Sequence, residues 1–139
     1  METEVFTILT VLWFGAMCIF TFQLGEQTVR VSGSLTRIVE SVIGIAFYTD
    51  AELLEKRLRF LAHPVEFAVL TILCLLTFSN FKTGTRGAII TVGVLIVWSV
   101  VSEVLKRNIP GRHCNGIDMV GNMIGVGIGV LISVLAAMI

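Results

Sequence analysis

The chain has 139 residues, of which 55% are apolar and 14% charged, with ten basic residues against ten acidic ones. This length bounds it to one domain, and a mean hydropathy of +0.93 excludes an ordinary soluble one. A formal charge of zero gives no case for a nucleic-acid partner, and Cys18, Cys74 and Cys114 share no metal or redox spacing.

Taken in order, four runs are long enough for a membrane-spanning helix, which needs roughly 17–25 residues. The first covers about 5–22. Its leader "METE" is acidic where a signal peptide is basic, and "FTFQLGEQ" offers no small-x-small cleavage site, so the run is expected to be a retained helix. The segment 23–62 follows. A structureless link of that length is uncommon in a compact protein. Leu35, Ile38, Val39, Val42, Ile43 and Ala46 recur at helical spacing, with Thr36, Arg37, Glu40 and Ser41 opposite. "TDAELLEKRLRF" then opens with Thr49 and has Glu52 three residues on, the pattern of a capping box. Two short amphipathic helices are expected here, lying in the membrane interface, with packing against the bundle as the rival reading.

Pro64 is expected to divide the second of these from the next span, about 65–81, and to sit in that span's first turn. The third span covers about 87–104 and the fourth about 117–139. Short links join the second to the third and the third to the fourth, which makes consecutive helices antiparallel neighbours. The expected fold is thus an all-α integral membrane protein. It has four antiparallel transmembrane helices in one domain, with amphipathic interfacial helices between the first and second.

That path has a chemical consequence. The start of the second span, the end of the third and the start of the fourth meet at one end of the bundle. His63, Glu66, Glu103, Lys106, Arg112, Asp118 and Asn122 therefore converge there. Ser99, Ser102, Glu103 and Lys106 follow i, i+3, i+4, i+7 and form one helical stripe. Asp118 and Asn122 are i, i+4, and Gly121, Gly125 and Gly129 form a small-residue run, expected to bring the fourth helix against the third. Ionisable groups near a bilayer face the bundle interior or water, often in pairs. Three readings are open. The cluster is a structural clasp in which Arg112 pairs with Glu103 or Asp118, a polar pocket for an anionic membrane-borne ligand, or a catalytic centre using His63 and the carboxylates for acid–base work. No HExxH or similar spacing points to a metal, and no metal or cofactor is expected.

The stretch "SEVLKRNIPGRHCNGIDMVGNMIGVGIG" resembles the C-terminal signature of VanZ-like membrane proteins, matched at Glu103, Pro110, Gly111, Arg112, Asp118, Asn122, Gly125 and Gly129. "RFLAHPVEFAVL" is similar to a second family segment at Arg59, His63 and Glu66, and "FTFQLGEQTVRVSGSLTRIVE" to a first loop at Gln23 and Ser34. The chain departs from the pattern at Phe60, Pro64, Phe67, Ser102 and Lys106. Lys106, standing where glutamine is usual, adds a cation that either favours a more anionic ligand or compensates Glu103.

The resemblance implies a small multi-pass protein of the bacterial cell envelope, linked through its name-giving member to glycopeptide (teicoplanin-type) resistance. The expected function is engagement of an anionic cell-envelope lipid or lipid-linked cell-wall precursor by the one-sided pocket. The alternatives are a membrane enzyme acting on such a lipid, and a structural or partner-binding protein. Self-association stays open. The charge bias of the loops would place the polar end in the cytoplasm, whereas family analogy places it outside, which is the side expected here.

Overall fold

In the computed structural model, the described residues are 2–23, 27, 30–31, 33–34, 37–39, 41, 51–80 and 84–138. They form four long helices: α1 (Glu2–Phe22), α2 (Ala51–Asn80), α3 (Gly84–Lys106) and α4 (Gly116–Ala137). Each is long and apolar enough to cross a membrane, with candidate spans Thr3–Phe22, Phe60–Phe78, Gly84–Lys106 and Gly116–Ala137. No strand occurs among the described residues. Helices are the expected solution, because hydrocarbon offers no partner for a peptide group that the helix itself does not satisfy. Threonines and serines inside the spans are satisfied the same way. Thr7, Thr71, Thr91 and Ser133 each donate to the carbonyl four residues back.

Between α1 and α2 the described residues from Gln27 to Ser41 are helical; of the apolar stripe read there, Leu35, Val42, Ile43 and Ala46 lie outside the described residues. Thr49 of the expected capping box lies outside the described residues.

The expected break at Pro64 does not occur. α2 runs unbroken from Ala51 to Asn80 with Pro64 inside it, so the span begins earlier than residue 65 and residues 51–63 belong to the same helix. An interior proline forfeits one backbone hydrogen bond, here to Phe60, and is strongly disfavoured in a helix exposed to water. In a bilayer, ending the helix would expose several peptide groups instead of one, so continuation is the smaller loss.

All four helices contribute to one small core of Met17, Phe67, Leu70, Leu95 and Val126, with Trp13, Cys74, Val92 and Trp98 packed on it. α1 is the outlying member. Val11, Leu12 and Ile19 are among its exposed side chains, and it docks through a few anchors. Trp13 Nε1 donates to the Glu66 carbonyl (3.1 Å), and Phe14 lies 5.2 Å from the Trp98 ring. The closest packing is between α4 and α2. A methyl group on Gly121 would sit 3.6 Å from Pro64 Cδ. One on Gly125 would fall on the Pro64 carbonyl oxygen and lie 2.9 Å from Phe67 Cβ. One on Gly129 would sit 2.6 Å from Thr71 Cβ. The glycine face thus meets α2, not α3 as the sequence reading had it. Proline explains the choice: its flat ring and short side chain leave a shallow place on α2 into which a glycine helix fits.

Candidate functional site

α3 ends at Lys106 and the chain then tightens. Arg107, Asn108 and Ile109 donate to the carbonyls of Val104, Leu105 and Lys106. Arg112 N then donates to Ile109 O (3.1 Å), which closes a turn over Pro110 and Gly111. Proline at its second position and a glycine at φ 73° at its third meet the demands of a type II turn. This turn sends the Arg112 guanidinium sideways to α1, where it donates to the carbonyls of Phe20 (3.2 Å) and Thr21 (3.0 Å). These carbonyls belong to the last turn of α1 and have no partner inside that helix, so a cation there is doubly favourable. Only the clasp reading of the sequence gave Arg112 partners, Glu103 or Asp118, and none of the readings foresaw this bond, because helix-end carbonyls carry no residue-type signal.

Asn115 begins α4. Its Oδ1 accepts from Ile117 N (3.0 Å) and its Nδ2 donates to Asp118 Oδ1 (3.2 Å), which fixes the carboxylate in the first helical turn. The other oxygen, Oδ2, faces His63 Nε2 of α2 at 3.5 Å. One turn along the same face, Asn122 is fully buried and its Nδ2 points to the Ser99 carbonyl of α3 at 3.5 Å.

The α3 stripe points inward as expected. Ser99, Ser102, Glu103 and Lys106 are all buried, and Lys106 Nζ pairs with Glu103 Oε1 one turn away. This supports the compensating role for Lys106. Glu66 of α2 is half-buried and lies in the field of His63, Lys106 and Arg112. All seven residues singled out in the sequence are therefore at one end of the bundle, on three helices and one turn. Arg107, His113 and Cys114, from the same polar stretch, are exposed.

His63, Glu103 and Asp118 come together: one ligating atom from each lies within 4.8 Å of the others. They derive from three different helices, which is why no linear metal spacing announced them. The set is graded in accessibility. The side chains of His63 and Asp118 are 16% and 14% exposed, those of Lys106 and Glu103 only 4% and 1%. An imidazole held by a carboxylate at the accessible edge is an arrangement able to accept and return a proton.

Comparison with protein families, with curated proteins and with solved structures returned no match to this chain.

Proposed function

We propose that this chain is a VanZ-like multi-pass protein of a bacterial cell membrane whose polar end engages the head group of an anionic envelope lipid or lipid-linked precursor. In this reading consecutive helices alternate in direction, the segment before α2 lies in the interface, and the polar end faces outward. The carrying observation is the gradient from a buried Glu103–Lys106 pair to the partly accessible His63–Asp118 pair. A clasp alone has no need of an accessible edge, whereas a head group arriving from the membrane meets His63 and Asp118 first, with Arg112 at the same end of the bundle. Ionisable side chains at membrane depth mark ligand paths more often than scaffolding.

The test is native mass spectrometry of the purified chain. Stoichiometric co-purifying lipid is expected, and its loss from His63→Ala and Asp118→Asn with thermal stability kept. Absence of lipid from the wild type, with no turnover of added envelope lipids, leaves the structural or partner-binding alternative. The His63–Asp118 pairing favours one further reading, an enzyme acting on the same lipid; turnover abolished by His63→Ala selects it. Orientation is tested by labelling Ser34→Cys and Thr83→Cys in intact cells, in a Cys114→Ser background. Labelling at position 34 alone agrees with an outward polar end, and labelling at 83 alone reverses it.

A further inference from the structure

Among the described residues, the buried and half-buried set at the polar end holds three acidic side chains, Glu66, Glu103 and Asp118, and two basic ones, Lys106 and Arg112. Among the described residues, two buried acceptor atoms, Glu103 Oε2 and Asn122 Oδ1, have no hydrogen-bond partner. An orphaned acceptor at this depth is costly. Both residues are almost wholly inaccessible, at 0% and 1% exposure.

We infer that His63, Glu103 and Asp118, with Asn122 beneath them, form a binding site for one divalent transition-metal ion. The geometry is close to what such an ion asks for. Zinc held at about 2.0–2.2 Å by imidazole and carboxylate, with tetrahedral angles, separates its ligand atoms by roughly 3.4 Å. His63 Nε2 and Asp118 Oδ2 are already 3.5 Å apart. The Glu103 atom lies within 4.8 Å of both ligand atoms, a gap that small side-chain rotations close. Lys106 occupies Oε1 of Glu103 and leaves Oε2 for the ion. Asn115 holds Oδ1 of Asp118, which orients the ligating oxygen as hydrogen-bonded carboxylates around metals commonly are. One imidazole among oxygens suits zinc or manganese better than magnesium or calcium, and affinity should rise from manganese to zinc.

The inference rests on the proposed function and deepens it: a divalent ion adds two positive charges at the polar end, which favours an anionic head group there. It is tested without lipid, so its failure is separable from failure of the lipid reading.

The full chain, purified in detergent and stripped with chelator, is titrated with Zn2+ and Mn2+ by calorimetry, and with Co2+ by visible absorption. One ion per chain is expected, with zinc tighter than manganese and a higher melting temperature in its presence. Asp118→Asn and His63→Ala should weaken zinc binding by more than about 100-fold, beyond the 10–100-fold typical of outer-shell partners. Because Glu103→Gln alone strands Lys106, the charge-neutral pair Glu103→Gln with Lys106→Gln is used as well and should also lose binding. Lys106→Gln alone should tighten it, since a competing cation is removed. His113→Ala and Cys114→Ser should leave it unchanged. Absence of binding to the wild type overturns the inference. So does binding that survives Asp118→Asn and the double variant, or that disappears with His113→Ala or Cys114→Ser, which would place the ion in the exposed loop.

Discussion

Towards one end of the bundle, α2, α3 and α4 enclose an apolar groove of about 610 Å3, lined by Ile72, Leu76, Phe78, Ala88 and Ile132 among others. The polar contacts near it are hydroxyls, such as Thr10 with Thr77 at 3.0 Å across α1 and α2. At the opposite end the same helices bury Glu103, Lys106 and Asn122 and half-bury His63, Glu66 and Asp118. A hydroxyl satisfies itself on its own helix, as Thr10 does on the Phe6 carbonyl at 2.8 Å, and adds little demand on its neighbours. A carboxylate has no such local remedy and must find a cation or donor on another turn or helix. The groove end can therefore be altered piecemeal, while the polar end has to be kept as a set. A bundle built only to cross a membrane would need the first kind of end twice.

The largest effect should come from breaking the buried pair on one side only. Lys106→Met leaves Glu103 charged and without its cation, and should cost about 3–5 kcal/mol of stability in detergent. The double change Lys106→Met with Glu103→Leu should recover most of that, because the charge and its compensation leave together. Thermal unfolding of both variants checks this. A single variant as stable as the wild type would mean that the polar end is no more interdependent than the groove end.

Next is the α2–α4 contact, which runs from the polar end toward the groove. Gly125→Ala places a methyl group on the Pro64 carbonyl, a backbone atom that cannot step aside, and should cost about 1–3 kcal/mol. Gly127→Ala, two residues on, meets nothing within 4 Å and should be neutral or slightly stabilising. Equal melting temperatures for the two would place the Gly125 face against lipid instead of α2.

Much of this was legible in the sequence. Four long apolar runs marked four helices, and the short links between the last three brought His63, Glu66, Glu103, Lys106, Arg112, Asp118 and Asn122 to one end. What was not legible depended on partners that residue types do not reveal. Pro64 read as a boundary because proline rules are learned from helices in water; the cost of ending a helix in hydrocarbon reverses the outcome. The GxxxG run announced a close contact but not with which helix, since small residues fit any smooth neighbour. The Arg112 bonds went to backbone carbonyls of Phe20 and Thr21, which every residue possesses. The His63–Glu103–Asp118 grouping drew one residue from each of three helices, so no local spacing encoded it.

A moderate effect should follow from Arg112. Two charge-assisted bonds to α1 are lost in Arg112→Ala, and about 1.5–3 kcal/mol of stability should go with them. The loss should be local: protease access near residue 22 should rise while the α2–α4 contact stays intact. Arg112→Lys keeps the charge but has no planar fork to meet two neighbouring carbonyls, so it should fall between wild type and alanine.

The smallest effect should be at the start of α4, and it separates holding a carboxylate from holding a helix. Asn115→Ala removes the cap on Ile117 N and one hydrogen bond to Asp118 Oδ1. The capping loss is about 1 kcal/mol. Asn115→Ser restores a cap oxygen, since serine is as good in that position, but its hydroxyl is too short to reproduce the amide's reach to the carboxylate. If Asn115 acts only on the helix, serine should restore stability and everything else. If it also orients Asp118 toward His63, serine should restore the melting temperature while ligand retention at the polar end stays reduced, because the carboxylate has lost the Asn115 hydrogen bond that sets its direction. A serine variant indistinguishable from wild type in both measurements would make the α4 start as forgiving as the groove end, and would remove Asn115 from the set that must be kept whole.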